Sequence, residues 1–258
     1  MAGGTARVMA RLGIGAVLAG SLVIAVLHVV GPGAAISPIR RTISEYMLTS
    51  AAWAFDVGVL AIASGSVAVL LATARSGGPG EPRASSTGLV FGGLWVIGLL
   101  TLTAFPKANW ALGPSISGQV HRIASLVAFV ALPLAVLTLA RRGTSRLRAA
   151  FARARWAAGL AVAGLAWFVP IIVAIATGAS GGRWWLAVPL GLVERGMAVT
   201  EIAALVVLGV WAIRRTAPES AERTGADRVT APALGGATGA VEPDPAPARL
   251  PAVDPATP

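Results

Sequence analysis

The sequence predicts an all-α polytopic membrane bundle of six transmembrane helices. Three observations lead there. Of the 258 residues, 55% are hydrophobic and only 12% are charged, against about 25% charged in a soluble domain. Six stretches approach the roughly 20 apolar residues that cross a bilayer core about 30 Å thick. Between them the basic residues fall unequally, fifteen of the 21 on alternate connections. So little charge cannot cover a water-soluble domain, so soluble enzymes, soluble nucleic-acid-binding domains and disordered chains are excluded.

The predicted spans, in order, are Gly13–Val30, Leu48–Ala72, Gly88–Phe105, Ile123–Ala140, Trp156–Thr177 and Gly196–Ile213. Arg7 and Arg11 ahead of the first apolar run also fit a signal peptide, with Gly33-Ala34-Ala35 near a cleavage site. The run exceeds the 7–15 residues usual for a signal core, so the first span is read as an uncleaved helix. Pro133 and Pro170 fall inside spans four and five and should bend them. Gly88 with Gly92, and Gly159 with Ala163, have the spacing of close helix contacts. In a chain with 31 glycines such spacing carries little weight.

Orientation follows from the basic residues. One side carries Arg7, Arg11, Arg75, Arg83, the arginines between 141 and 155, and those from Arg214 onward. The other carries Arg40, Arg41, Lys107, Arg122, Arg183 and Arg195. Cationic side chains resist translocation, so both termini are expected in the cytoplasm. Trp110, Trp184 and Trp185 on the outer side, with Trp156 and Trp211 on the inner, fit indole's preference for the headgroup layer. Residues 1–215 thus form the membrane domain. Residues 216–258 hold eight of the 17 prolines and six acidic residues without an apolar period, and are expected to be a disordered cytoplasmic tail.

The net charge of +10 lies in short runs between apolar stretches, which sets topology and does not make a nucleic-acid groove. The absence of cysteine excludes disulfides and thiolate metal sites. Two histidines exclude a three-histidine metal centre within one chain. No cofactor is expected; His28 and His121 both sit at the outer edge, a poor arrangement for haem.

Ionisable groups within hydrocarbon are functional candidates by default. Here they are Glu45, Asp56, His121, Glu194 and Arg195, with Ser44, His28, Arg122 and Glu201 as secondary members. Nearly all fall in the outer half of the bundle. Glu45 and Asp56, eleven residues apart, would share one face of a continuous helix about 16 Å apart. Each has a structural alternative. Glu45 and Glu194 can offset helix N-terminal dipoles, His28, His121 and Arg122 can anchor at the interface, and Asp56 can satisfy a buried hydrogen bond.

Ser44-Glu45-Tyr46 ahead of span two, Phe105-Pro106 after span three, Gly118 three residues before His121, and Gly191-Leu192 leading into Glu194-Arg195 occur in an order that resembles the domain-of-unknown-function 998 family. The resemblance covers about residues 13–215. It implies a prokaryotic six-helix membrane protein in the plasma membrane, without implying an activity. Members often follow Phe-Pro with a small polar residue and an Asp, where this chain has Lys107-Ala108.

The leading functional expectation is an outward-facing polar pocket that binds or passes a small polar or lipid headgroup ligand. Glu45, His121, Glu194 and Arg195 would line its mouth and Asp56 its floor, with Arg195 or Arg122 neutralising charge. The competing readings are an intramembrane lipid-modifying enzyme, using a carboxylate–His pair with Ser44 or Ser125 as nucleophile, and a structural protein whose polar groups only lock helices together. The lipid bilayer is the one expected partner; the sequence names no protein partner.

Overall fold

A computed structural model describes residues 2–76, 85–109, 111–140 and 148–216. The described residues contain helices and no strand. The helices are α1 (Ala2–Val26), α2 (Ala52–Arg75), α3 (Ser86–Ala104), α4 (Ile116–Ala140), α5 (Arg148–Ala166), α6 (Val169–Ala176), α7 (Trp184–Ala187) and α8 (Leu190–Arg215). Among the described residues there are six spans long and apolar enough to cross a membrane, with α5 and α6 together making the fifth. The predicted all-helical six-span architecture is therefore present. The tail from 217 onward, Trp110, Arg83, and Arg141, Arg142 and Arg146 lie outside the described residues.

The helices are longer than their apolar runs. At 1.5 Å per residue the 26 residues of α8 extend about 39 Å, past the hydrocarbon layer at both ends. The expected starts were consequently late for span four, which begins at Ile116, and for span six, which begins at Leu190. His121, Arg122, Glu194 and Arg195 thus sit within first or second helical turns and not ahead of them. The first span is shifted the other way. It starts at Ala2 and ends at Val26, before Gly31 and Pro32 in a short 3₁₀ turn.

Spans one and two pack most extensively. A methyl group added at Gly13 would lie 2.7 Å from the Gly65 carbonyl oxygen, and one at Gly20 would lie 2.4 Å from that of Gly58. These glycines sit two by two across an antiparallel contact, each pair seven residues from the next, and let the backbones touch. The contact was not read from the sequence. Of the pairs that were, Gly88 packs on Leu139 and Thr138 and Gly92 on Leu70, while Gly159 faces open space.

The two prolines act differently. Pro133 lies inside a continuous α4. Pro170 is not inside a helix: the chain turns at Trp167 and Phe168, and Pro170 is the second residue of α6. There its missing N–H leaves no helical hydrogen bond unmade. Span five is broken, where a bend was expected.

Both chain ends of the bundle meet at one face. The Arg7 guanidinium donates to the Thr216 carbonyl, and Met9 and Ile213 pack on the small contact of Ala10, Ala72 and Ala212. The functional candidates gather at the opposite face, under the connections 27–51 and 105–115.

Candidate functional site

The segment between α1 and α2 is a strap, not a helical extension. Its second 3₁₀ turn, Ile43–Leu48, holds Ser44, Glu45 and Tyr46, and is bounded by extended backbone at Thr42 and Thr49. Helix α2 starts only at Ala52. The expected shared helical face of Glu45 and Asp56 is therefore wrong, because the chain between them is not one helix. Asp56 lies four residues into α2, about 6 Å from its end and not near mid-membrane. It is half-buried, with Oδ1 lacking a partner among the described residues.

The first turns of α8 hold this strap. Arg195 Nη1 donates to the carbonyls of Pro38 and Arg41, each at 2.8 Å, and to Gly191 at 2.9 Å. Its Nε donates to His28 Nε2 at 2.7 Å, while His28 Nδ1–H donates to the Ile24 carbonyl at 2.9 Å. Leu192 N donates to Ile39 O, and Ile43 N donates to Glu194 Oε2. Gly191 belongs to the same contact. A Cβ there would come within 2.3 Å of the Arg41 carbonyl oxygen. The Gly191–Arg195 motif thus binds the strap through its backbone, with the planar guanidinium reaching several oxygens at once.

Charge at the strap is balanced by a residue that was expected only to set topology and to depart from the family pattern. Lys107 Nζ lies 3.1 Å from Glu45 Oε1 and also donates to Thr42 Oγ1. Arg41 adds a second ion pair to Glu45 at 3.4 Å. Arg195, expected to neutralise the carboxylates, makes its hydrogen bonds to carbonyls and to side chains such as His28, and forms no ion pair with either glutamate among the described residues. No sequence period could have found Lys107, because it stands in a loop that only folding brings over the strap.

Beneath the strap is a cavity with room for the centres of water-sized molecules over about 90 Å³. Each wall is one helical face. Phe55, Val59 and Ile62 come from α2, Trp95, Leu99 and Leu102 from α3, and Ala128 and Phe129 from α4; Ala198 and Ile202 come from α8 and Ile24 from α1. Ile43, Ser44, His121, Ser125 and Glu194 complete it. The polar members all sit toward the strap, and the walls below are apolar. Trp95 donates its indole N–H to Ser66 Oγ at 3.0 Å, so this buried polar group is satisfied.

His121 is 4% exposed. Its Nδ1 lies 2.9 Å from Phe105 O and 3.1 Å from Leu102 O. Both partners only accept, so Nδ1 carries the proton. Nε2 is buried with no partner among the described residues. Gly118, a turn earlier, is filled by Ala108, where a Cβ would lie 2.3 Å from the Ala108 methyl. The motif residues Phe105, Gly118 and His121 thus form one joint between α4 and the end of α3.

Glu45, Glu194 and His121 surround the strap and the cavity's upper end. Glu45 and Asp56 are not among the lining residues, and Asp56 does not floor the cavity. Glu201 lies apart from it. It is 1% exposed, near Gly164 of α5 and Pro133 of α4, and both its oxygens lack partners among the described residues. Arg122 is exposed on α4.

The chain that carries these motifs matches the family model described as a protein of unknown function, DUF998, over residues 13–211. The chain belongs to the DUF998 family. The match begins within the first span, takes in the next four, and ends within the sixth, short of the tail. No curated protein and no solved structure matches the chain. Among the described residues no group of three His, Asp or Glu side chains is placed to hold a metal ion. In this DUF998 protein the polar motifs build the strap contact and the upper end of the cavity.

Proposed function

We propose that this multi-pass membrane protein binds a lipid at the strap end of the bundle, with hydrocarbon in the cavity and the headgroup at the strap. The observation that carries this is the cavity's one-sided polarity. Its walls are apolar over about two helical turns, while Ser44, His121, Ser125 and Glu194 are gathered at the end covered by the strap. A wholly polar solute gains nothing from such walls, whereas a chain with a polar end matches both parts. The charge distribution supports placing this end outside the plasma membrane of a prokaryote, with the termini in the cytoplasm. An intramembrane lipid-modifying enzyme has weaker support. The Ser125 hydroxyl donates to the His121 backbone carbonyl at 2.9 Å and does not face the imidazole as a nucleophile would.

Purification from native membranes followed by mass spectrometry of co-purifying lipids tests the reading. Wild-type protein should carry one lipid class in near-stoichiometric amount. An Ala128→Trp variant, which fills the cavity and keeps every polar group, should lose it. Equal lipid on both proteins would overturn the proposal.

A further inference from the structure

From the hydrogen-bonding state of the cavity's polar end, we infer that the ligand presents a hydrogen-bond donor there, a hydroxyl or an amine, and that phosphate and carboxylate heads are rejected. This rests on reading the cavity as a lipid-chain site.

Hydrogens at this end are already committed. Nδ1–H of His121 is taken by two carbonyls, and the uncharged ring then offers the cavity only the lone pair of Nε2, which is unpartnered. Glu194 accepts Ile43 N–H on Oε2, leaving Oε1 as a second acceptor without a protein donor among the described residues. The Ser125 hydrogen is directed to His121 O, so its free valence is also an acceptor. Ser44 shares a hydrogen with Thr42 at 3.2 Å and can serve either way. The cavity thus has three acceptors fixed in place and no fixed donor.

The cations nearby do not alter this. Lys107 is drawn to Glu45 and Thr42 on the strap, Arg41 to Glu45, and Arg195 to backbone carbonyls and His28. None of the three lines the cavity. An anionic head entering it would meet three lone-pair-bearing groups, with only the Ser44 hydroxyl able to offer a hydrogen. A hydroxyl would supply one of these acceptors with a hydrogen, and an ammonium, with three hydrogens, could supply all of them and also pair with a Glu194 carboxylate.

The test uses the full chain in phosphatidylcholine nanodiscs with four radiolabelled probes of one chain length: 1-dodecanol, dodecylamine, dodecanoate and dodecyl phosphate. Binding is counted above that of Ala128→Trp nanodiscs. The alcohol and the amine should saturate and bind at least about ten-fold tighter than either anion, the range expected when buried acceptors stay unmet. Glu194→Gln keeps an oxygen for Ile43 N–H and replaces the other with a donor, so it should shift preference from dodecylamine toward dodecanoate. If that variant fails to fold, the wild-type ranking alone decides. Anions binding as well as the alcohol or better would overturn the inference and leave the chain site standing. Saturable binding by none of the four would overturn both.

Discussion

Arg195 shows how a single side chain can be misjudged from its charge. In the outer half of a membrane bundle a guanidinium suggests a partner for carboxylates. Here it joins α8 to the strap through two carbonyls and to α1 through His28. Arg195→Lys should therefore keep the charge and lose the fork. A loss on the order of 2 kcal/mol is expected from charged hydrogen bonds of this kind. It should appear as faster amide exchange at residues 38–46 and a lower melting temperature in detergent, with the α1–α2 contact unaffected. Glu201 makes the opposite prediction. Its carboxyl is buried without a partner among the described residues, and such a group costs about 1–3 kcal/mol when left unsatisfied. Glu201→Leu should leave the melting temperature unchanged or raise it by a few degrees. A fall of many degrees would mean that the carboxyl makes a stabilising bond.

Pairing of elements rests on small residues as much as on large ones. Lipid tails are as apolar as leucine, so spans gain little by merely being greasy and gain contact by close approach. The α1–α2 joint at Gly13, Gly20, Gly58 and Gly65 is the clearest case. Gly65→Leu should lower the amount of folded protein in membranes and its thermal stability strongly, because the new side chain meets the Gly13 backbone. Gly159→Leu should have almost no effect, since a side chain there meets nothing. Stability in detergent for the two variants distinguishes a real contact from a chance spacing. The same joint packs the first span along α2 as a member of the bundle.

For the whole molecule, the shared face of α1's start and α8's end follows from the Arg7–Thr216 bond and an even number of spans. Which side of the membrane holds that face rests on the basic residues. A reporter active only in the cytoplasm should work when fused after Arg215, and a periplasm-active reporter should work when inserted near Trp110. The reverse pattern would move the strap and cavity to the cytoplasmic side. Truncation after Thr216 should leave membrane level and melting temperature nearly unchanged, as the composition of residues 217–258 offers little apolar surface to dock.

The sequence by itself determined the number of spans, the helical class, the family and the end of the bundle where polar residues collect. Each follows from local quantities: the length of an apolar run, the order of short motifs, the placement of charge in a bilayer. Helix ends were harder, because α4 and α8 begin ahead of the ionisable residues His121, Arg122, Glu194 and Arg195 that interrupt their apolar runs. Tertiary structure alone decided that Glu45 stands on a strap and not on α2, since a 3₁₀ turn and a helix share the same residues in a short window. It also decided that Lys107 balances Glu45, that Arg195 grips carbonyls, and which glycines touch. Those outcomes depend on groups far apart in the chain, from 38 residues for Gly20 and Gly58 to 167 for Arg195 and His28. In a bilayer a polar group must find some partner, but the sequence supplies several of suitable chemistry, and only the packing of the six spans selects among them.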